Sequence, residues 1–429
     1  MPDTTVEAAG PGEAPASALD PFGDDFLRDP FAFHTQLREA GPVVWLERYG
    51  VWAMARYAEV HDALRNWATY SSAAGVGLSD FRKEKPWRPP SLLLEADPPE
   101  HSRARKAVAR AMSPRTIAAL REDFAREADS LAAELLARGT VDGVTEIAEA
   151  YPLRVFPHAV GITQDCREQL LAYGNMAFNA FGPRNQLQAD SMAQVQGVAA
   201  WIAAHCAREA LAPGGLGDRI YASADEGTVT EDEAALLVRS LLTAGVDTTV
   251  IGLGCALDCL ARDGAQWRLL RGDPSLAGAA FEETLRYASP VQTFFRTTTR
   301  EVEVDGITIG AGEKVLLFLA AANRDPRRWT DPDRFDIRRR AVGHVGFGYG
   351  IHACVGAAFA RLEGRGAAAG ARAPRGIPGT SGRAAPPPQQ HAQRLRLPAA
   401  HAPDTRVRPA AGAARPQARH HRWPRSGST

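Results

Sequence analysis

The chain has 429 residues, 45% of them hydrophobic and 23% charged, an ordinary soluble composition with room for one large domain or two or three small ones. Its zero net charge hides an asymmetry: residues 364–429 hold 12 Arg and a single acidic residue, Asp404, which leaves 38 basic against 49 acidic residues in 1–363. An acidic body argues against nucleic acid as a partner, no apolar run of about 18–20 residues suggests a membrane span, and five scattered Cys (166, 206, 255, 259 and 354) make no disulfide framework, so a reducing, cytoplasmic location is expected.

Residues 1–18 are polar, with no basic or apolar leader pattern, and are expected to form a short disordered arm. Residues 19–363 read as one continuous domain. Helical periodicity marks 29–40, 57–66, 99–112, 116–138, 164–180, 190–211, 231–262 and 274–288. Strand-like runs are short: 43–55, 300–310 and 314–320, with DGITIG (305–310) as a turn signal. A mainly α protein with small peripheral sheets follows. In 231–262, Thr230 and Glu233 form a capping box. Residues 241–260 are nearly all apolar or small, yet Asp247, Thr248 and Thr249 sit among them. A buried charge costs several kcal/mol, on the order of 2–7 for even a neutral polar group, unless it is paired or functional. From Gly364 the composition changes: ten Pro and only four Ile, Leu or Val in 66 residues cannot bury a core, and disorder is expected over 364–429.

The most specific motif is FGYGIHACVG, Phe347–Gly356. Its glycines allow a tight turn and close approach to a flat ligand. A lone Cys is ordinarily a small core residue. A Cys in a Gly-rich loop entering a helix can instead be a thiolate held by N–H groups. The pattern F-G-x-G-x-H-x-C-x-G resembles the cysteine-ligand loop of the cytochromes P-450, and three further signatures follow in the family's order over residues 20–363. The resemblance implies a helical prism with small peripheral β-sheets, haem b, and Cys354 as the proximal iron ligand flanked by Phe347, Gly348 and Gly356. AGVDTT (244–249) resembles the family's distorted mid-helix segment. There Thr248 would hydrogen-bond dioxygen and Asp247 would relay protons. Glu283 and Arg286 (ETLR) share a helix face and, with Arg339 of FDIRRR, resemble a buried structural triad. His101 and Arg105, one turn apart, resemble partners of one haem propionate; Arg296 and His352 resemble partners of the other. Cys255 and Cys259 are taken as core.

Four runs (76–99, 178–183, 236–249 and 289–303) resemble one subfamily more narrowly, the bacterial oxidases of para-substituted benzoates. That likeness places Arg88, Ser91, Arg239 and Ser240 at a substrate carboxylate. Phe178, Phe181, Val291 and Phe294 would clamp the ring, with Leu94, Thr243 and Ala244 completing the wall. Thr243 stands where the closest pattern has Ser. The implied reaction is hydroxylation or O-demethylation of benzoates such as 4-methoxybenzoate, by dioxygen. No flavin or iron–sulfur motif is present, so electrons would come from NAD(P)H through a [2Fe–2S] ferredoxin and a flavin-dependent reductase, docking on the Cys354 side. A peroxide-driven enzyme is an alternative that Asp247 and Thr248 argue against. A second alternative is an inactive remnant, because the helix after Cys354 is expected to break at GRGAAAG (364–370). With one permitted set of codons, dropping a single base there reads GEVLLR, and the same offset turns PPPQQHAQ (386–393) into RRRNNTL. A one-base insertion near codon 365 is therefore expected.

Overall fold

The computed structural model describes residues 14–370, apart from 139, 163–166 and 196, and without side chains for 367–370. The arm up to residue 13, the tail from 371 and Cys166 thus lie outside the described residues.

Helices dominate. α1 (Asp24–Arg28), α2 (Phe31–Ala40), α3 (Tyr57–Arg65) and α4 (Glu100–Ala111) lead to α5 (Pro114–Leu136). Ser113 starts α5 by accepting from the Thr116 N–H, and Pro114 fills the first position, where no N–H is needed. A π-helix, Gly143–Glu149, runs into α6 (Ala150–Val160), followed by α7 (Gln169–Asn179), α8 (Gln186–Gln194), α9 (Val198–His205) and α10 (Leu216–Asp225). Then come α11 (Glu231–Ala244), α12 (Asp247–Arg262), α13 (Gly264–Gly272), α14 (Ala277–Tyr287), α15 (Leu319–Ala322) and α16 (Ala357–Gly370). The Thr230–Glu233 capping box is present at α11.

The strands are β1 (Ala16–Ser17), β2 (Val44–Leu46), β3 (Val51–Met54), β4 (Tyr70–Ser71), β5 (Thr293–Thr298), β6 (Val302–Val304), β7 (Ile307–Ile309) and β8 (Lys314–Phe318). They form a six-stranded sheet, ordered β1-β2-β3-β8-β5-β4, and a separate β6-β7 hairpin. Asp305 and Gly306 turn that hairpin with φ of +51° and +79°, the left-handed pair that suits a tight hairpin. The largest apolar cluster joins Phe124, Tyr151, Phe156, Leu241, Phe281 and Phe359, hence α5, α6, α11, α14 and α16. The sheet has its own clusters, built on Phe295, Leu316 and Phe318 on one side and Val315 and Leu317 on the other.

Several expectations change. Ala16 and Ser17 pair in parallel with Trp45 and Leu46, so the disordered arm cannot extend to residue 18. Helix 190–211 splits around Gly197, whose φ is +90°. The segment 231–262 is two helices, not one. It is also long and apolar enough to cross a membrane by length and composition, contrary to the sequence expectation, but 61% of its apolar window is buried inside the fold. α16 does not break at residue 364. It continues to Gly370, because Gly364 and Gly366 serve close packing rather than termination: a Cβ at either would overlap the Phe281 ring or the Tyr151 hydroxyl. Strand β5 and helices α6, α10 and α13 were not anticipated.

Candidate active site

The Cys354 loop is closed by its own backbone. Cys354 N donates to the Phe347 carbonyl at 2.7 Å. Gly348 and Gly350 sit at φ of +67° and +68°, and a Cβ at Gly350 would lie 2.7 Å from the Leu64 carbonyl. Glycine is required there on both counts. Cys354 is exposed as a residue, yet desolvation acts on its thiol. Burial pushes its pKa up, opposed by the backbone N–H groups of Gly356 and Ala357 and by Arg105 and Arg361. The Arg361 guanidinium also lies 4.7 Å from the Phe347 ring centroid.

The four expected propionate partners gather beside this loop. Arg105 Nη1 donates to the Ala353 carbonyl at 2.6 Å, and His352 Nδ1 lies 3.1 Å from the Leu93 carbonyl. The rings of His101 and His352 have centroids 4.4 Å apart. Asp97 organises the group: it accepts from Ser72 N at 3.1 Å and from the Ser71 hydroxyl, and lies 3.7 Å from His352 Nε2. Arg296 is buried, and burial pushes its pKa down to about 10, with Asp97 opposing. His101 is pushed to about 4 by burial, by His352 and by Arg105. Neither of its ring nitrogens has a hydrogen-bond partner among the described residues. Four cation-capable groups against one carboxylate leave a buried site short of negative charge. A soft sulfur framed by N–H groups lies at its edge. These residues fit a haem: Cys354 would hold the iron, and His101, Arg105, Arg296 and His352 the two propionates.

The α11–α12 break falls in AGVDTT. Thr248 Oγ1 donates to the Ala244 carbonyl at 2.8 Å and Thr249 Oγ1 to the Gly245 carbonyl at 3.4 Å. Such back-bonding bends a helix. Gly245 permits it, since a Cβ there would overlap the Phe156 ring. Asp247 is fully buried, and Gly174 of α7 leaves room for it: a Cβ at Gly174 would lie 2.7 Å from the Asp247 Cβ. Ala244 is exposed in the middle of this buried region.

The structure joins Glu283, Arg286 and Arg339. Arg286 makes two 2.8 Å bonds to the Glu283 carboxylate, and Arg339 Nε a third at 3.1 Å. Asp336 N adds a fourth, and Arg286 also donates to the Asn323 and Pro332 carbonyls. Glu283 and Arg286 are fully buried and fully satisfied.

The expected substrate residues fall into a polar group and an apolar group. Ser91 and Ser240 have their hydroxyls 3.1 Å apart. Arg239 Nη2 donates to the Pro89 carbonyl at 2.7 Å. Arg88 Nη1 is taken by Glu95 Oε2 at 2.9 Å, an oxygen that also accepts from Ser91 N at 2.7 Å. Thr243 Oγ1 donates to the Arg239 carbonyl at 2.8 Å. Phe178, Phe181, Leu94, Val291 and Phe294 share one apolar cluster, with T-shaped contacts between Phe178 and Phe181 (5.8 Å) and between Phe181 and Phe294 (6.0 Å). Sequence reading missed Asp97, Glu95 and the buried Tyr173, whose hydroxyl lies within the electrostatic reach of Arg239 and Arg88. The signal for the two acids was their place in the otherwise apolar LLLEADPP.

The cytochrome P450 family model matches residues 275–366. Cytochrome p450 CYP199A2 of Rhodopseudomonas palustris is 55% identical over 365 residues, covering 85% of this chain and 88% of that protein. The structure of cytochrome P450 CYP109Q5 from Chondromyces apiculatus superposes with a TM-score of 0.75 at 30% identity, over 89% of this chain and 97% of the other. Cytochrome P450 CREJ in complex with (4-ethylphenyl) dihydrogen phosphate gives 0.73 at 27% identity, over 82% and 90%. With its thiol loop, its cationic cluster and its broken central helix, the chain belongs to the cytochrome P450 family of haem-thiolate monooxygenases.

Proposed function

We propose that this monooxygenase acts on a small aromatic carboxylate, hydroxylating or O-demethylating the para substituent of benzoates such as 4-methoxybenzoate. The observation that carries this reading is the Ser91–Ser240 hydroxyl pair, 3.1 Å apart, with Arg239 and the Glu95-paired Arg88 beside it and an aromatic cluster close by. The hydroxyls and Arg239 would take the carboxylate. Phe178, Phe181, Val291 and Phe294 would hold the ring and direct its far end towards Cys354. The CREJ complex, with a para-substituted aryl anion bound to a similar fold, supports an anionic aryl substrate.

Haem supplies dioxygen activation and the thiolate's electron density. The protein's part is to exclude water, to present the Thr248 hydroxyl now given to the Ala244 carbonyl, and to relay protons through the buried Asp247 carboxylate. Electrons from NAD(P)H would arrive through a [2Fe–2S] ferredoxin and a flavin-dependent reductase on the Cys354 side, in the cytoplasm. Titrating 4-methoxybenzoate into the ferric protein tests the substrate: a low-to-high-spin conversion is expected. No conversion with any 4-substituted benzoate removes the assignment.

One observation favours a second reading, a haem-binding remnant. The family match ends at residue 366, where the one-base insertion is proposed. A carbon monoxide difference spectrum separates the two readings, since a thiolate-type Soret band requires an intact site.

A further inference from the structure

Lys314 lies in β8, opposite Thr297 of β5, and is 8% exposed. A Thr or Val would satisfy the ladder there, whereas a buried ammonium is costly unless each of its protons is matched. All three are matched, and by one loop: Nζ donates to the carbonyls of Ala74 (3.2 Å), Gly75 (2.9 Å) and Gly77 (3.0 Å). Gly75, at φ +92°, turns the chain so that neighbouring carbonyls face the same point. Burial pushes the ammonium pKa down to about 8, with Asp80 opposing.

The loop so gathered is the seam between β5 and the end of α7. Phe295 N donates to the Val76 carbonyl at 2.9 Å, and Leu78 N to the Phe181 carbonyl at 2.7 Å. Gly77 is pressed onto the Phe181 backbone, where a Cβ would lie 2.7 Å from both its Cα and its carbonyl oxygen. Phe181 in turn meets Phe178 and Phe294 edge to face. A chain of short contacts therefore runs from the Lys314 ammonium to the aromatic wall, with no flexible side chain before Phe181.

We propose that Lys314 is a positioning residue for the substrate pocket: by holding the Ala74, Gly75 and Gly77 carbonyls, its ammonium fixes Phe181 and so the width of the aromatic slot. This rests on the reading that Phe178, Phe181 and Phe294 face substrate.

The test uses the haem-loaded full chain with Lys314→Met, which keeps the stem, Lys314→Thr, which suits a strand, Lys314→Arg, which keeps the charge, and Phe181→Ala. Each is titrated with 4-methoxybenzoate, read by the ferric spin state, and with imidazole, which binds the iron directly. The two neutral variants should bind 4-methoxybenzoate about tenfold more weakly, on the scale of one lost charge-assisted contact, and reach a lower high-spin fraction. Their imidazole affinity and carbon monoxide spectrum should stay within about twofold of the parent, and Lys314→Arg should recover part of the loss. Unchanged benzoate binding in the neutral variants, while Phe181→Ala weakens it, overturns the role of Lys314 alone. Unchanged binding in Phe181→Ala overturns the substrate reading. Loss of haem or of both affinities together in the two neutral variants makes Lys314 a merely structural residue and also overturns the proposal.

Discussion

Replacing Glu363 by Gln should stabilise the protein, and by an amount that grows with pH. Glu363 is fully buried on α16, and burial pushes its carboxyl up to about 8, with the neighbouring Thr249 hydroxyl working the other way. The reference value is 4.5, so the folded protein binds a proton that the unfolded chain releases. Stability from this group is complete below about pH 4.5 and is lost as pH rises through about 8. At about 1.4 kcal/mol per pH unit, the loss is under about 1 kcal/mol at pH 5, about 3 at pH 7 and at most about 5 above pH 8. Gln cannot titrate, so the Gln variant lacks this loss. Urea unfolding of both proteins, equally loaded with haem, at pH 5, 7 and 8.5 reads the difference directly. The gap should widen by about 2 kcal/mol or more between pH 5 and 7. A gap that stays constant within about 0.5 kcal/mol, near the limit of such measurements, would refute the reasoning.

Glu283→Gln leaves Arg286 buried with its carboxylate partner gone and should cost about 3–5 kcal/mol; a urea midpoint implying less than about 1 kcal/mol would contradict the packing described. Ser240→Ala should weaken 4-methoxybenzoate binding by about tenfold or more while leaving the neutral 4-methoxybenzaldehyde within about twofold; equal losses for both ligands would point to a steric cause. Gly245→Ala forces a methyl into the Phe156 ring and should cost about 1–3 kcal/mol in thermal unfolding; an unchanged melting temperature would mean that the α11–α12 break tolerates repacking.

The parts legible in the sequence were those fixed by local chemistry. Gly348, Gly350 and Cys354 are constrained by backbone conformation and close approach, so their pattern announces itself. The α11–α12 break was visible only as a broken rule, acid and hydroxyl residues inside an apolar run. That it divides the helix depends on Thr248 reaching the Ala244 carbonyl and on Phe156 arriving from α6, 89 positions before Gly245. Asp97 and Glu95 were missed because their partners, His352 for one and Arg88 with Ser91 for the other, are set by how a loop folds back. Helix α6 was missed because Pro152 and Pro157 interrupt its pattern, although the helix carries Pro157 internally. The continuation of α16 was misread because glycine usually ends a helix, whereas Gly364 and Gly366 here admit two aromatic neighbours.

That last feature bears on how the gene is read. Both possible registers keep glycine at 364, but the alternative register would place valine at 366, against a Tyr151 hydroxyl already committed to the Phe124 carbonyl at 3.0 Å. The two translations therefore demand different spacings between α16 and α6, a difference of about one methyl-sized layer. A diffraction map of that helix pair would reveal which message the organism expresses.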